Sequence, residues 1–284
     1  MNYLPVQYDT STLSRYAELF SKCFPASAGF TLDYLDWLYR LNPDGLAIGF
    51  DAWDGNKLVA HYVCVPVKAL VSGRTVHALL SLNTATHPDY QGRGLFTKLA
   101  QFTFAAGAGA GLDCVFGVAN ANSTGGFVRK LGFRLVEPLE AKIGYGGLEI
   151  DWDIVDQTAL FARQWSPDSL KWRCANPKRP VFCRQDKQEI LFRASVKGIL
   201  LSAYAELPLR NFTSIDAGTE NLPSLLHLFI GLVPTGACQF RRYISIPHRF
   251  RPSPLNFIFL SLNSTTATIE KGSVSFSFLD FDAY

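Results

Sequence analysis

Residues 85–101 read ATHPDYQGRGLFTKLAQ, and the fold turns on how this stretch divides. Ahead of it, Thr75 to Thr86 reads as a strand with Val76, Ala78, Leu80 and Leu82 on one face. Pro88 stops that strand and biases His87 towards extended backbone. Behind it, Leu95, Leu99, Phe102 and Ala106 make one apolar stripe, so a helix opens directly after Gly94. Gln91-Gly92-Arg93-Gly94 lies between strand and helix. Amides at a helix start have no intrahelical partners. Glycine lets them converge and permits positive φ, and the helix dipole adds partial positive charge. With Arg93 alongside, such a loop suits a pyrophosphate. Its plainer reading is a turn.

Working outward, Gly107-Ala-Gly-Ala-Gly111 ends the helix and Leu112–Val118 is a short buried strand, most simply parallel to the first. Asn120–Gly126 reads as a loop, Phe127–Leu131 as a short helix, and a strand follows through Glu140. Upstream, Thr10–Phe24 and Thr31–Tyr39 have helical spacing. Leu46–Trp53 and Lys57–Val67 read as strands joined by the turn Asp54-Gly-Asn56. After about residue 146 strands dominate: 181–184, 190–195, 198–205, 255–262 and 274–281, with helical stretches near 168–174 and 222–232. Two domains are expected, 1–145 and 146–284. One echo links them. Tyr34-Leu-Asp-Trp-Leu-Tyr-Arg-Leu-Asn-Pro43 resembles Ser169-Leu-Lys-Trp-Arg-Cys-Ala-Asn-Pro177, as a degenerate duplication or a coincidence of turn residues would produce.

The 284 residues are 48% hydrophobic and include 22 Phe, enough for a substantial core. A net charge of +3, from 27 basic and 24 acidic residues, argues against a nucleic-acid partner. Six cysteines form no CxxC pair and no metal-finger spacing, so no metal is expected and reduced thiols suit a cytoplasmic setting. No apolar run reaches the roughly 18 residues that would span a bilayer, and the N-terminal segment does not read as a signal peptide. The oligomeric state is not legible.

His87-Pro-Asp-Tyr-Gln-Gly-Arg-Gly-Leu-Phe96 resembles the coenzyme A loop of the GNAT superfamily of N-acetyltransferases, with Gln91 and Gly94 at its fixed positions and Phe96 in place of a small residue. Asn120-Ala-Asn-Ser followed by Phe127-Val-Arg-Lys-Leu-Gly-Phe133 resembles that family's later segment. The resemblance implies an α/β (α+β) fold, a mixed central sheet flanked by helices, with a second strand-rich half as a candidate degenerate GNAT-like copy. It implies acetyl-CoA as acyl donor. The strand ending at Thr86 and the strand at Leu112–Val118 would splay to admit the pantetheine arm, paired to the backbone of Thr84, Ala85 and Thr86. Gln91, Gly92, Arg93, Gly94, Leu95 and Phe96 would hold the pyrophosphate, with Asn120 and Asn122 opposite.

Amine acetylation needs a neutral nitrogen and a proton for the departing thiolate. The tyrosine that many members use as that acid is Val128 here. Ser123 and Thr124 are nearby hydroxyls, Ser123 the candidate acid. His61 and His77 are strand histidines, either of which could act as base, and Asp280 and Asp282 would share one face of a C-terminal strand. For each of these a structural role is the plainer reading. Arg241 and Arg242 begin a segment with four arginines in residues 241–251 and are candidate contacts for an anionic acceptor. The expected activity is acetyl transfer to a primary amine of a small molecule, a nucleotide-linked amino sugar among the candidates. The alternatives are a non-catalytic coenzyme A-binding or scaffold protein and a longer-acyl or aminoacyl transferase.

Overall fold

The computed structural model describes residues 1–25, 29–196, 200–212, 224–251, 253–263 and 268–281. Strand β1 (Asn2–Pro5) precedes helices α1 (Thr10–Cys23) and α2 (Leu32–Tyr39). Each helix starts where a side-chain oxygen meets the orphan amides of the first turn: Asp9 accepts from Thr12 N–H and Thr31 from Tyr34 N–H. Strands β2 (Ile48–Asp54), β3 (Lys57–Val71) and β4 (Arg74–Thr86) follow, then α3 (Leu95–Gly109), β5 (Cys114–Ala119), α4 (Ala121–Leu131) and β6 (Arg134–Pro138). The later elements are β7 (Glu140–Gly144), α5 (Trp152–Thr158), β8 (Phe161–Arg163), α6 (Pro167–Cys174), β9 (Val181–Asp186), β10 (Glu189–Ser195), β11 (Leu201–Pro208), β12 (Leu226–Gly231), β13 (Tyr243–Ser245), β14 (Asn256–Ser261) and β15 (Val274–Ser275).

The chain divides into two compact units. The first comprises Met1–Lys68, Val76–Leu135 and Ile258–Thr266, the second Ala69–Thr75, Val136–Phe257 and Ala267–Tyr284. Each unit gathers three chain segments. In the first, strands neighbour one another in the order β1-β2-β3-β4-β5-β14-β6. Its β3 is buried from Leu58 to Val67. Tyr62 and Cys64 join the cluster formed with Leu95, Leu99 and Phe104 of α3, whereas His61 meets Tyr16, Phe20 and Tyr39 of α1 and α2. A strand covered on both faces shows a continuous apolar run rather than alternation. In the second unit the order is β13-β7-β12-β11-β10-β9, and β8 pairs with Ala69–Val71 and with β15.

Three elements depart from the sequence pattern. Helix α4 begins at Ala121, not Phe127, because Asn120 and Ser123 form a capping box there. Residues 226–231 form strand β12 rather than part of a helix. Antiparallel to β7 and parallel to β11, it buries His227, Phe229 and Gly231 alternately. A short apolar run looks alike in helix and strand, and pairing partners decided this one. The stretch expected as a strand over 274–281 is extended only at β15. It then turns through a 3-10 helix, Phe278–Asp280. The two Asn-Pro turns are built alike: Asn42 and Asn176 are buried, and each side-chain oxygen accepts the backbone N–H two residues on.

Candidate active site

Strands β4 and β5 pair in parallel from Ala78↔Cys114 to Ser81↔Gly117, and the ladder ends there although β4 continues to Thr86 and β5 to Ala119. A cavity of about 200 Å³ opens at that point, walled by Ser81, Leu82, Asn83 and Thr84 on one side and by Gly117, Val118, Asn120, Ser123 and Phe127 on the other. Asn83 adopts a left-handed backbone (φ 46°) in the middle of the strand, a conformation Asn tolerates better than most residues. Ser81 is held by the Tyr62 hydroxyl at 2.7 Å. Burial holds the Tyr62 phenol well above its ordinary pKa, so it stays a hydroxyl.

Beyond β4 the chain makes a 3-10 turn, Pro88–Tyr90, and enters α3 through two left-handed glycines, Gly92 (φ 76°) and Gly94 (φ 74°). A Cβ at either glycine would meet nothing within 4 Å. Glycine is therefore required here by backbone conformation, and the mouth of the loop is open. No side chain caps α3, and the first backbone donor inside it is Lys98 N–H to Gly94 O, 3.1 Å. The preceding amides have no intrahelical partner. The loop is braced from outside. Arg93 donates to Asp89 O at 3.0 Å and lies 4.6 Å over the Tyr90 ring, Tyr90 Oη donates to Asp54, and Gln91 Nε2 reaches Thr86 O.

Phe96, the large residue in a small-residue position, turns into the core. Its ring lies 5.1 Å from Phe127 and 5.9 Å from Tyr62, and a Cβ on Gly126 would come within 2.9 Å of it. Gly126 thus leaves the space that Phe96 fills. Asn120 spends its Oδ1 on the amides of Asn122 and Ser123, while Ser123 Oγ accepts Asn120 N–H in return. Asn120 and Ser123 still border the cavity, whereas the exposed Asn122 is not among its lining residues.

The expected proton-handling side chains lie elsewhere. His61 is fully buried, and both ring nitrogens are engaged, by Asp51 and by Tyr39. It cannot meet a bound amine directly. Asp280 is not on a polar strand face: it is buried, accepts Ser277 N–H at 2.7 Å to cap the 3-10 turn, and its pKa is raised by burial. Asp282 lies outside the described residues. Arg241 and Arg242 belong to the second unit and are exposed. Arg241 donates to Gln239 and Arg242 stands 3.7 Å from Glu149. Asn83, Ser81, Tyr39 and Asp51 were not legible as site residues. Their signal was faint: single polar residues inside apolar runs. Among the described residues no cluster could hold a metal ion, and the six cysteines are free thiols. Among the same residues no helix is long and apolar enough to cross a membrane.

The acetyltransferase (GNAT) domain family matches residues 7–136. No curated protein matches the chain. Among solved structures, a GCN5-related N-acetyltransferase from Anabaena variabilis is similar with a TM-score of 0.61 at 11% identity, over 92% of this chain and 73% of that one. Another from Kribbella flavida has a TM-score of 0.58 at 12% identity, over 91% of this chain and 70% of its own. At such identities the likeness is one of fold, and it extends into the second unit.

Proposed function

Residues 7–136 form an acetyltransferase domain of the GNAT superfamily, and from that premise we propose that the protein moves an acetyl group from acetyl-CoA to a primary amine of a small molecule. One observation carries the reading: two left-handed glycines deliver an uncapped helix start to the end of β4, next to the opening where β4 and β5 stop pairing. The free amides at Leu95, Phe96 and Thr97 fit the pyrophosphate, with Gln91 to Gly94 shaping the cradle. Backbone of Thr84, Ala85 and Thr86, beyond the ladder with β5, fits an extended pantetheine arm. Acetyl-CoA would supply a thioester carbonyl carbon open to attack.

Among the described residues, none lining the cavity bears a carboxylate, imidazole, ammonium or phenol. With those residues alone, the amine arrives neutral, its surplus proton passes to solvent, and the thiolate leaves unaided where Val128 replaces the usual acid. Catalysis then rests on holding the two reactants together, which is sufficient for large effects. The same lack of titratable groups favours a second reading, coenzyme A binding without transfer. Phe96 packs against Phe127 and Tyr62 and so adds no room for a longer acyl group. A nucleotide-linked amino sugar is the first acceptor to try.

The test is calorimetric titration with coenzyme A, then thiol release from acetyl-CoA with an amino sugar nucleotide, an aminoglycoside, spermidine and a lysine peptide. Saturable binding is expected, weakened about tenfold or more by Gly94→Val, because the β-branched side chain cannot hold that φ. Transfer should speed up with pH until the acceptor amine is neutral. Absent binding sinks the proposal. Binding with no release from any amine selects the second reading.

A further inference from the structure

Within the first unit, a chain of hydrogen bonds runs from the cavity wall into the core. Asn83 Nδ2 donates to Tyr39 Oη at 3.1 Å, Tyr39 Oη meets His61 Nε2 at 2.9 Å, and His61 Nδ1 meets Asp51 Oδ1 at 2.7 Å. Tyr16 donates to the other Asp51 oxygen at 2.7 Å and itself accepts Gln7 N–H at 3.0 Å. Tyr16, Tyr39, Asp51 and His61 are all buried, and Asn83 alone reaches the cavity. At the two ends the bond directions follow from what each atom can do. The Gln7 amide can only donate, so the one Tyr16 proton goes to Asp51. The Asn83 amide nitrogen can only donate, so Tyr39 Oη accepts there and has its own proton to give to His61 Nε2. In that arrangement Nε2 is bare and the imidazole proton sits on Nδ1, donated to Asp51.

The consequence lies at the outer end. With its nitrogen turned towards Tyr39, the Asn83 amide leaves Oδ1 as an acceptor that no described residue engages. The left-handed backbone sets this amide just past the last β4–β5 pair, where the walls separate. We infer that Asn83 positions the acceptor: its Oδ1 accepts an N–H of the neutral amine and aims the nitrogen lone pair into the opening, while Tyr39, His61 and Asp51 are positioning residues that fix which way the amide faces. This rests on the acetyl-transfer reading above. The nitrogen–carbon bond forms, the carbon–sulfur bond breaks with its electron pair leaving on sulfur, and the surplus proton on nitrogen goes to solvent. Asn83 takes no proton. It orders an encounter that would otherwise sample many orientations.

The experiment uses Asn83→Gly, which removes the amide and keeps the left-handed backbone accessible, together with Tyr39→Phe and the double variant. Each is measured for acetylation of whichever panel amine the wild type acetylates and for coenzyme A affinity. Asn83→Gly should lower kcat by about 10- to 100-fold and leave coenzyme A affinity within about twofold. Tyr39→Phe should lower kcat in the wild-type background and have no further effect on Asn83→Gly, because it acts only through that amide. Imidazole ¹⁵N resonances should show His61 protonated at Nδ1 and bare at Nε2. Undiminished kcat in Asn83→Gly overturns the inference. So does a Tyr39→Phe loss that persists in the double variant, or a proton on Nε2. A wild type that acetylates no amine overturns the acetyl-transfer reading itself, and this assignment with it.

Discussion

Each unit holds a buried group made of one carboxylate, one histidine and two tyrosines, but the two groups are wired differently. In the first, both oxygens of Asp51 are served, one by His61 and one by Tyr16. In the second, Glu206 Oε1 accepts Tyr204 O–H at 2.6 Å and Leu148 N–H at 2.8 Å, while Oε2 is buried without a partner. Its histidine does not reach it. His227 stacks on Tyr204 at 4.0 Å and turns Nδ1 to Gly146 O, which also accepts Tyr243 O–H. Burial pushes Glu206 up to about 7 and His227 down to about 4. The contrast teaches that burial is common to both and that donors make the difference. A carboxylate with donors on both oxygens can anchor a chain of bonds that ends at a cavity. In one with a bare oxygen burial raises the carboxyl pKa, and burial lowers that of its histidine.

The contrast can be broken most severely at Asp51. Asp51→Ala leaves a tyrosine hydroxyl and an imidazole N–H without acceptors in a fully buried space. It should cost about 3 kcal/mol in urea unfolding; a loss below about 1 kcal/mol would mean the first network contributes nothing special to stability.

The second unit sharpens the comparison through pH. Glu206 has its folded pKa raised from 4.5 to about 7. Its contribution to stability is full below 4.5 and lost as pH rises to about 7. His227 has its folded pKa lowered from 6.5 to about 4, so its contribution is full above 6.5 and lost as pH falls to about 4. The two slopes oppose each other, each worth on the order of 3 kcal/mol across its window. Glu206→Gln should therefore give a stability that climbs with pH between about 4 and 6.5, and His227→Phe one that falls between about 4.5 and 7. Thermal unfolding at several pH values distinguishes these tilts from the flatter profile of the wild type. Parallel profiles for all three proteins would remove the proposed difference in wiring.

The smallest effect is expected at Tyr243. Removing its hydroxyl by Tyr243→Phe should cost about 1 kcal/mol, since Gly146 O keeps the His227 donor. A loss matching that of Asp51→Ala would erase the distinction between the two networks.

What could be read in advance followed a pattern. The glycine loop and α3 were legible because their cause is local: positive φ at Gly92 and Gly94, and apolar residues at helical spacing from Leu95, although the buried face passes through Leu99, Thr103 and Gly107 and leaves Phe102 exposed. Helix α4 was half legible. Asn120 and Ser123 carry a capping box, but Gly125 and Gly126 obscure it, since neither favours a helix. The tolerance of Gly126 became clear only once Phe96 was seen to occupy the space a Cβ would take. Strand β12 was misread because LLHLFIGL suits either periodicity until β7 and β11 flank it. Asp280 was misread because Phe278–Asp280 turns where alternation alone suggested a continuing strand.

The sequence alone determined where a glycine turn meets a helix and roughly which elements follow in which order. Those outcomes depend on backbone preferences and hydrogen bonds that reach only a few residues along the chain. The tertiary structure decided that residues 7, 16, 39, 51, 61 and 83 form one bonded series ending at the cavity. It also decided that residue 206 keeps one oxygen bare while residue 204 stacks on residue 227. A polar side chain removed from water must take whatever partner the folded chain brings to it, and that choice is fixed by packing across long stretches of sequence.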